Sequence, residues 1–591
     1  MKLRYIPFAL CLAALTTGCN ESSFLDTKPQ GTLNNDNLST PEGVELLVSA
    51  AYASLGGIAP QDNSVWLIPM TNWSYGSVRS DDAYKGGGGT GDVEEINRME
   101  TFNLDATVGN MDSKWFQLYC CVQRCNSALK ALNNISAEDL PELEIRKAEM
   151  RLLRAHFYFE LSRLFNQIPY FDENVAIDQY DRIPNNQYTR DEILGMIANE
   201  MMAAADVLPE RQSEIGRVNK YIAWAYAAKV KLYQAYEQDE ETHRVTNINR
   251  DLLSEVVDLC GRLEGHYDLL DDFQQLDLLA YENGEESVFA IQFSMNDGSA
   301  SAGRINWSNL LNAPQGPYSG DGFFLPSQNL INAYQTDANG LPLFDTFNDR
   351  DYDVITFDAE GKPVNTQVDG TVDPRLDFVV GRPNITWKTY TESPCMNFWV
   401  RDQGAYGYHC CKRFFVSPES ADMFNGWPWG ASGMNWQLIR YAHVLLWKAE
   451  ALIELGDGAG LEEARTIINR IRRRAMQSEY VKDFNDPEKD AANYLIGEYP
   501  AEGWTQDYAR QALRFESRLE CAMEGERFFD LVRWGIAAET MNAYLEVERT
   551  KRAYYSTATF TAGRDEYLPI PLPQYNFSNG LYVQNPGYGD F

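Results

Sequence analysis

The sequence predicts a mainly α protein: stacked, TPR-like helix-turn-helix units flanking a large loop-rich excursion that contains short strands. Three observations carry this. Ala148, Leu152, Ala155 and Phe159 fall at i, i+4, i+7 and i+11, and Ala442, Leu446, Ala449 and Ile453 repeat that spacing. Small alanines seven residues apart let helices approach closely, as helix-pair repeats require. A second stripe through Met150, Leu153, Phe157, Leu161 and Leu164 makes the first of these helices apolar on two sides, as in a helix packed between neighbours. Between the helical blocks, roughly 280–435, the chain is rich in Gly, Pro, Asn and Ser and carries Trp387, Trp399, Trp427 and Trp429. Long ordered loops in a compact protein are usually functional.

Taken in order, the chain opens with Lys2 and Arg4, an apolar run from Phe8 to Leu15, and Thr16-Thr17-Gly18-Cys19. That run is too short to span a bilayer, which takes ~20 residues, and fits a signal peptide over 1–18. A small residue directly before a cysteine is the pattern of lipoprotein processing, so Cys19 is the expected lipidation site and residues 19–40 the expected polar tether. Helices are expected at Pro41–Leu55, Asp112–Leu132, Glu142–Phe165 and Arg190–Val207. Further helices are expected around Ala228, Leu232 and Ala235, at Asp251–Arg262, Leu438–Leu455 and Leu461–Ala475, and over Ala509–Leu531. Ser287–Phe293 has strand composition. The reading is one folded unit over 41–591, with helical scaffold at about 41–275 and 436–545 around the excursion.

Composition narrows the function. A net charge of −34 with no basic stripe argues against nucleic acid, whose recognition runs on clustered Lys and Arg. Cys120-Cys121-x3-Cys125 and Cys410-Cys411 lack the spacing of a zinc site, and Cys120, Cys121 and Cys125, within a helical pattern, read as packed thiols. Disulfides are permitted outside the cytoplasm, but the sequence does not pair the eight cysteines left after Cys11 and Cys19. No G-x-S-x-G elbow and no H-E-x-x-H occurs, and no carboxylate pair stands out for glycoside hydrolysis. His156 and His443 read as packing residues on core helices. Asp349, Asp351, Asp353 and Glu360 have the 1, 3, 5, 12 spacing of an EF-hand, but Val354 replaces its glycine. A solvated acidic loop is the better reading than a structural Ca2+ site, and no cofactor is expected. Gly86–Gly89 lacks the downstream Gly-Lys-Ser/Thr of a phosphate loop and reads as a mobile connection.

Several motifs in fixed order carry a family likeness: Phe24–Pro29; Leu153-Arg154-Ala155-His156-Phe157-Tyr158-Phe159 with Leu164-Phe165 and Ile168-Pro169; Asp373-Pro374-Arg375-Leu376; Arg440-Tyr441-Ala442 with Ala449-Glu450-Ala451; Glu524–Gly535; and Leu568-Pro569-Ile570-Pro571 with Gln584–Tyr588. In these the chain resembles the SusD/RagB family of outer-membrane nutrient-binding lipoproteins, with Asn166 where that family usually has Gly. The resemblance implies four TPR-like helix pairs supporting a ligand-binding region. It also implies no catalysis, a place on the outside of the outer membrane, and a SusC-like TonB-dependent transporter as partner. Glu524, Glu526, Arg527, Asp530 and Arg533 lie three or four apart on an expected helix, where opposite charges pair on one face; a structural ion-pair network is the expectation.

A sugar has an apolar face that lies on an aromatic ring and an equator of hydroxyls that want planar polar partners. Residues 66–85 supply both: Trp66, Trp73, Tyr75 and Tyr84 as platforms, and Asn72, Arg79, Asp81 and Asp82 as hydrogen-bonding groups. In the family, the loop corresponding to this one lies beside the ligand. Trp307, Tyr318, Tyr406, Trp427 and Trp429 complete the candidates. The sequence therefore points to capture of oligo- or polysaccharide for a transporter. The alternatives are RagB-like peptide capture, a surface glycosidase, and a TPR-type assembly scaffold.

Overall fold

The computed structural model describes residues 40–58, 64–298, 303–388, 393–427, 429–589 and 591. The expected signal peptide, Cys19 and the tether to residue 39 lie outside the described residues. The described chain is mostly helical, 46% helix against 10% strand. None of its helices is long and apolar enough to cross a membrane.

The scaffold helices are α1 Pro41–Ala53, α2 Gly109–Leu132, α3 Leu143–Phe165, α4 Arg190–Val207, α5 Lys220–Ala235, α6 Arg250–Gly261, α7 Tyr441–Leu455, α8 Gly458–Gln477 and α9 Gln506–Glu520. They form four pairs in chain order, α2/α3, α4/α5, α6/α7 and α8/α9, each also packed on the next, with α1 against α2. Local signals set their ends: Thr189 and Glu192 make a reciprocal capping box, Asn219, Asp457 and Thr505 cap α5, α8 and α9, and Gly456 ends α7 in the left-handed region. The alanine stripes do what their spacing predicts, since Ala148, Ala155, Ala228, Ala235, Ala442 and Ala449 are all buried between helices.

The excursion interrupts the third pair. It leaves and returns through one antiparallel ladder, β2 Ser287–Ile291 with β4 Trp436–Arg440. That pairing moves the start of α7 from the expected 438 to 441. A second ladder, β1 Ala83–Gly86 with β3 Phe323–Pro326, ties the 66–85 segment to the excursion. Among the described residues every sheet has only two strands. The expected helix over 509–531 is broken in two: α9 stops at Glu520, and a short α10, Arg527–Arg533, follows the turn at 521–526. Gly525 in that turn adopts a positive φ, and a Cβ on Gly76 would stand 1.7 Å from its carbonyl oxygen. Only glycines allow these two backbones to meet.

The family-like motifs converge on buried charge. Arg375 pairs with Asp373 (2.7 Å), Glu516 (2.6 Å) and Glu520 (3.1 Å). Arg440 pairs with Glu286 (2.8 Å), Glu520 (2.7 Å) and Glu524 (3.0 Å). Arg472 and Arg474 add contacts to Glu516, Glu286 and Glu520, and Arg413 bridges Asp277 and Glu524. The Glu524–Gly535 stretch is thus an ion-pair hub, but not by pairing along one helix face. Asp530–Arg533 is its one i,i+3 pair; Glu526 pairs with Arg163 and Lys229, Arg527 with Asp81, and Arg533 with Glu450. His443 is more than packing, since Nε2 lies 2.9 Å from Glu524. His443, Cys521 and Glu524 are close enough together to hold a metal, but Glu524 is already neutralised by Arg413 and Arg440.

Candidate functional site

Four of the expected ligand residues reach the surface. Trp66 lies in a tight turn at Val65–Leu67, Trp307 opens another at Trp307–Asn312, and Trp427 stands near the tip of a loop closed by the Met423–Ser432 bridge. Their rings form one cluster. Trp66 and Trp307 are stacked with centroids 5.8 Å apart and 30° between planes, and Trp427 meets Trp66 edge-on at 5.7 Å and 86°. Trp427 is also 6.2 Å from Trp307. Trp427 is 58% exposed and Trp429, two residues along the same loop, 46%; Trp66 and Trp307 are half-buried. Large aromatics are rarely left open in this way without a ligand to cover them.

The cluster is rigidly held from below. The Met70 amide donates to Ser308 Oγ at 3.0 Å and Thr71 Oγ1 to Asn309 Oδ1 at 2.8 Å, stitching the Trp66 turn to the Trp307 turn. The Trp73 indole donates to the Ser308 carbonyl at 2.9 Å, so a buried tryptophan braces the turn that carries the half-buried Trp307. Lys114, on α2, donates through Nζ to the carbonyls of Pro69 (2.8 Å) and Ile68 (3.5 Å). Burial pulls its pKa down to about 7, against the opposing pull of the Glu160 carboxylate. The Trp427 loop is anchored by Asn306 N–H to the Ser432 carbonyl (2.9 Å), next to Trp307. At Gly430, φ is +76° and a Cβ would come within 2.3 Å of Ala313 Cβ, so the loop lies flat on the excursion only because this residue is glycine. Tyr318 backs that contact and donates its hydroxyl to the Val416 carbonyl at 2.9 Å.

The other nine candidates are corrected by the structure. Asn72, Trp73, Tyr75, Arg79, Asp81, Asp82, Tyr84, Tyr318 and Tyr406 are all buried, with no face for a sugar. Trp73 is 0% exposed and packs on Phe323 and Phe324. Asn72 donates to Glu160, Tyr84 donates to Glu548, and Arg79 stacks 4.1 Å over Phe528. Asp81 and Asp82 are held by Arg518 and Arg527. Burial alone would raise the Asp81 carboxyl, but these two guanidinium groups bring it down to about 2. Asp81 and Asp82 looked like sugar ligands; they are partners for arginines that lie more than 400 residues away. Trp387 and Trp399 pack edge-on in the core of the excursion.

The residues with EF-hand spacing, expected in a solvated acidic loop, lie in different surroundings. Asp353 is buried against Arg382 (3.1 Å) and His409 (2.9 Å), Asp351 takes Lys551 (2.6 Å), and Asp349 is exposed. Glu360 lies at the turn of the hairpin Val354–Phe357 with Pro363–Thr366. The Gly86–Gly89 run, expected to be loose, wraps the Lys85 ammonium, which donates to the carbonyls of Gly86 (3.0 Å) and Gly89 (2.9 Å). Sequence reasoning missed Ser308, Asn309 and Lys114. Their roles depend on partners far along the chain, and no local pattern marks them.

Comparison with known proteins matches this architecture. Residues 285–588 match the model described as the SusD family, and residues 24–232 match one described as starch-binding, associating with the outer membrane. SusD-like protein P2 of Formosa agariphila is 26% identical, over 100% of both chains. Surface glycan-binding protein A of Bacteroides thetaiotaomicron, solved in complex with laminarihexaose, aligns with 92% of this chain and 99% of its own at 19% identity and a TM-score of 0.64. A SusD superfamily protein of Bacteroides vulgatus aligns with 92% of this chain and 98% of its own at 19% identity and a TM-score of 0.66. These structural likenesses show the fold.

Proposed function

The chain belongs to the SusD family, and from that premise we propose that it captures oligo- or polysaccharide on the Trp66–Trp307–Trp427 cluster, without cleaving it, and delivers it to a SusC-like TonB-dependent transporter. Glycan binding and association with the outer membrane come with the family. The finer statements are the proposal: lipidation at Cys19, an outward-facing body, and hand-over to a transporter.

The observation that carries the reading is the convergence of three indoles from three distant segments on one open, braced surface. The outer faces of the stacked pair offer flat apolar area for a sugar ring, and Trp427, set edge-on to Trp66, supplies a wall. A laminarihexaose complex of a relative with the same fold supports a glycan over a peptide. The described carboxylates of the Glu524–Gly535 stretch are committed to ion pairs, which favours binding over hydrolysis.

The test is calorimetry of the parent and of Trp66→Ala, Trp307→Ala and Trp427→Ala against a glycan panel that includes laminarin and starch, with a peptide mixture alongside. Each substitution is expected to weaken the bound glycan at least about tenfold, or about 1.4 kcal/mol. Unchanged affinity in all three, or binding of the peptides alone, would overturn the reading. Cleavage products after incubation would overturn its non-catalytic part.

A further inference from the structure

We propose that Cys395 and Cys410 are joined by a disulfide in the exported protein. Both residues are completely buried free thiols, and Cys395 lies close enough to act directly on the Cys410 thiol. The surrounding backbone fixes them there. Cys410 is paired with Gly381 in the short ladder Val380–Gly381 with Cys410–Cys411, and a Cβ on that same Gly381 would touch the Cys395 sulfur at 3.4 Å. Cys395 is held by its own main chain, its N–H donating to the Ile385 carbonyl (2.9 Å) and its carbonyl accepting from Asn384 (2.8 Å). Other thiols point to other groups: Cys121 to the Ser54 carbonyl, Cys411 to the Arg413 carbonyl, and Cys521 towards Arg440.

Association with the outer membrane takes the chain out of the reducing cytosol, into a compartment where disulfides persist. The reaction breaks two S–H bonds and forms one Sγ–Sγ bond. The two electrons and two protons pass to the disulfide of an exported thiol–disulfide oxidoreductase, which leaves as a dithiol. A thiolate is the attacking species, and the neighbouring Cys395 together with burial pushes the Cys410 thiol up, so the exchange takes place before this segment closes. The bond would staple the segment that carries Trp399. The Trp399 indole lies against Gly316, two residues before the Tyr318 that backs the Trp427 loop.

The full-length lipoprotein, exported and membrane-anchored in a bacterial host, would be denatured in iodoacetamide without reductant, digested with trypsin and mapped by mass spectrometry. Cleavage after Arg401 separates the two cysteines, and fragment ions distinguish Cys410 from Cys411. A cross-linked pair of peptides joining Cys395 to Cys410 is the expected result. Alkylation of both thiols, or a cross-link of either to another cysteine, would overturn the proposal. Dithiothreitol is expected to lower the thermal midpoint of the parent and to leave that of Cys395→Ser/Cys410→Ser unchanged. Should the double variant fail to fold, the peptide map decides by itself.

Discussion

Glu566 carries a carboxyl group that burial, reinforced by Asp565, pushes up to about 7 from 4.5. One of its oxygens, Oε2, is buried with no hydrogen-bond partner. A carboxyl whose pKa is raised by folding binds more protons in the folded than in the unfolded state. Stability therefore falls as pH rises from about 4.5 to about 7 and stays lower above that. Glu566→Gln removes the titration while keeping the shape. The variant should be more stable than the parent above pH 7, by on the order of 2–3 kcal/mol, with the difference vanishing below pH 4.5; chemical denaturation at several pH values measures it. Trp73→Ala is the complementary case. It empties a buried site and leaves the Ser308 carbonyl without its donor, so a loss of about 3–5 kcal/mol of stability is expected, read as a fall in thermal midpoint rather than as a lost sugar contact.

At the scale of elements, the tryptophans of the proposed binding surface are presented by turns rather than helices. The Trp427 loop is positioned by backbone hydrogen bonds at its base and by Gly430. Gly430→Ala brings a left-handed penalty of about 1–2 kcal/mol and a clash with Ala313. The loop should lift, taking Trp427 away from Trp66 and Trp307. Glycan affinity is expected to drop several-fold while the thermal midpoint moves by only a few degrees, which calorimetry and a melting curve together would show. A large fall in midpoint with unchanged affinity would mean that Gly430 serves the core and not the site. The ladder of β2 with β4 plays the same part for the whole excursion, gathering its two ends beside the third helix pair.

For the whole molecule, the buried charge network sets the response to acid. Burial alone would raise the Glu520 carboxyl, but Arg474, Arg440 and Arg375 bring it down to about 2 from 4.5; Glu524 is held low in the same way by Arg440, His443 and Arg413. A carboxylate with a lowered folded pKa contributes stability that is present above about pH 4.5 and lost as pH falls towards 2. For Glu520 that is on the order of 3 kcal/mol. The protein should denature in acid over this range. Arg440→Met should cost about 3–5 kcal/mol by leaving Glu286, Glu520 and Glu524 without a shared cation, and it should flatten the acid limb of the stability curve. Arg440 touches the scaffold, the start of α7 and the turn before α10, so its loss should loosen the excursion and the helices together.

The sequence by itself determined most of the scaffold helices, the fold class and the family, but not the break after Glu520. Periodicity and caps are local, and they place α4 at Arg190–Val207 to the residue. The order of the motifs is a property of the chain alone. The sequence also named Trp66, Trp307 and Trp427, which the fold gathers at the surface, but could not separate them from the buried Trp73 or Tyr84. Residues seven apart in the same aromatic, polar stretch end on opposite sides of the surface, because what covers Trp73 is Phe323, Phe324 and Ser308, all more than 230 positions away. Likewise Arg79, Asp81 and Asp82 resemble ligand residues until Phe528, Arg518 and Arg527 arrive from the far end of the chain. Burial and ion pairing are sums over long-range neighbours, and only the tertiary structure assembles those neighbours.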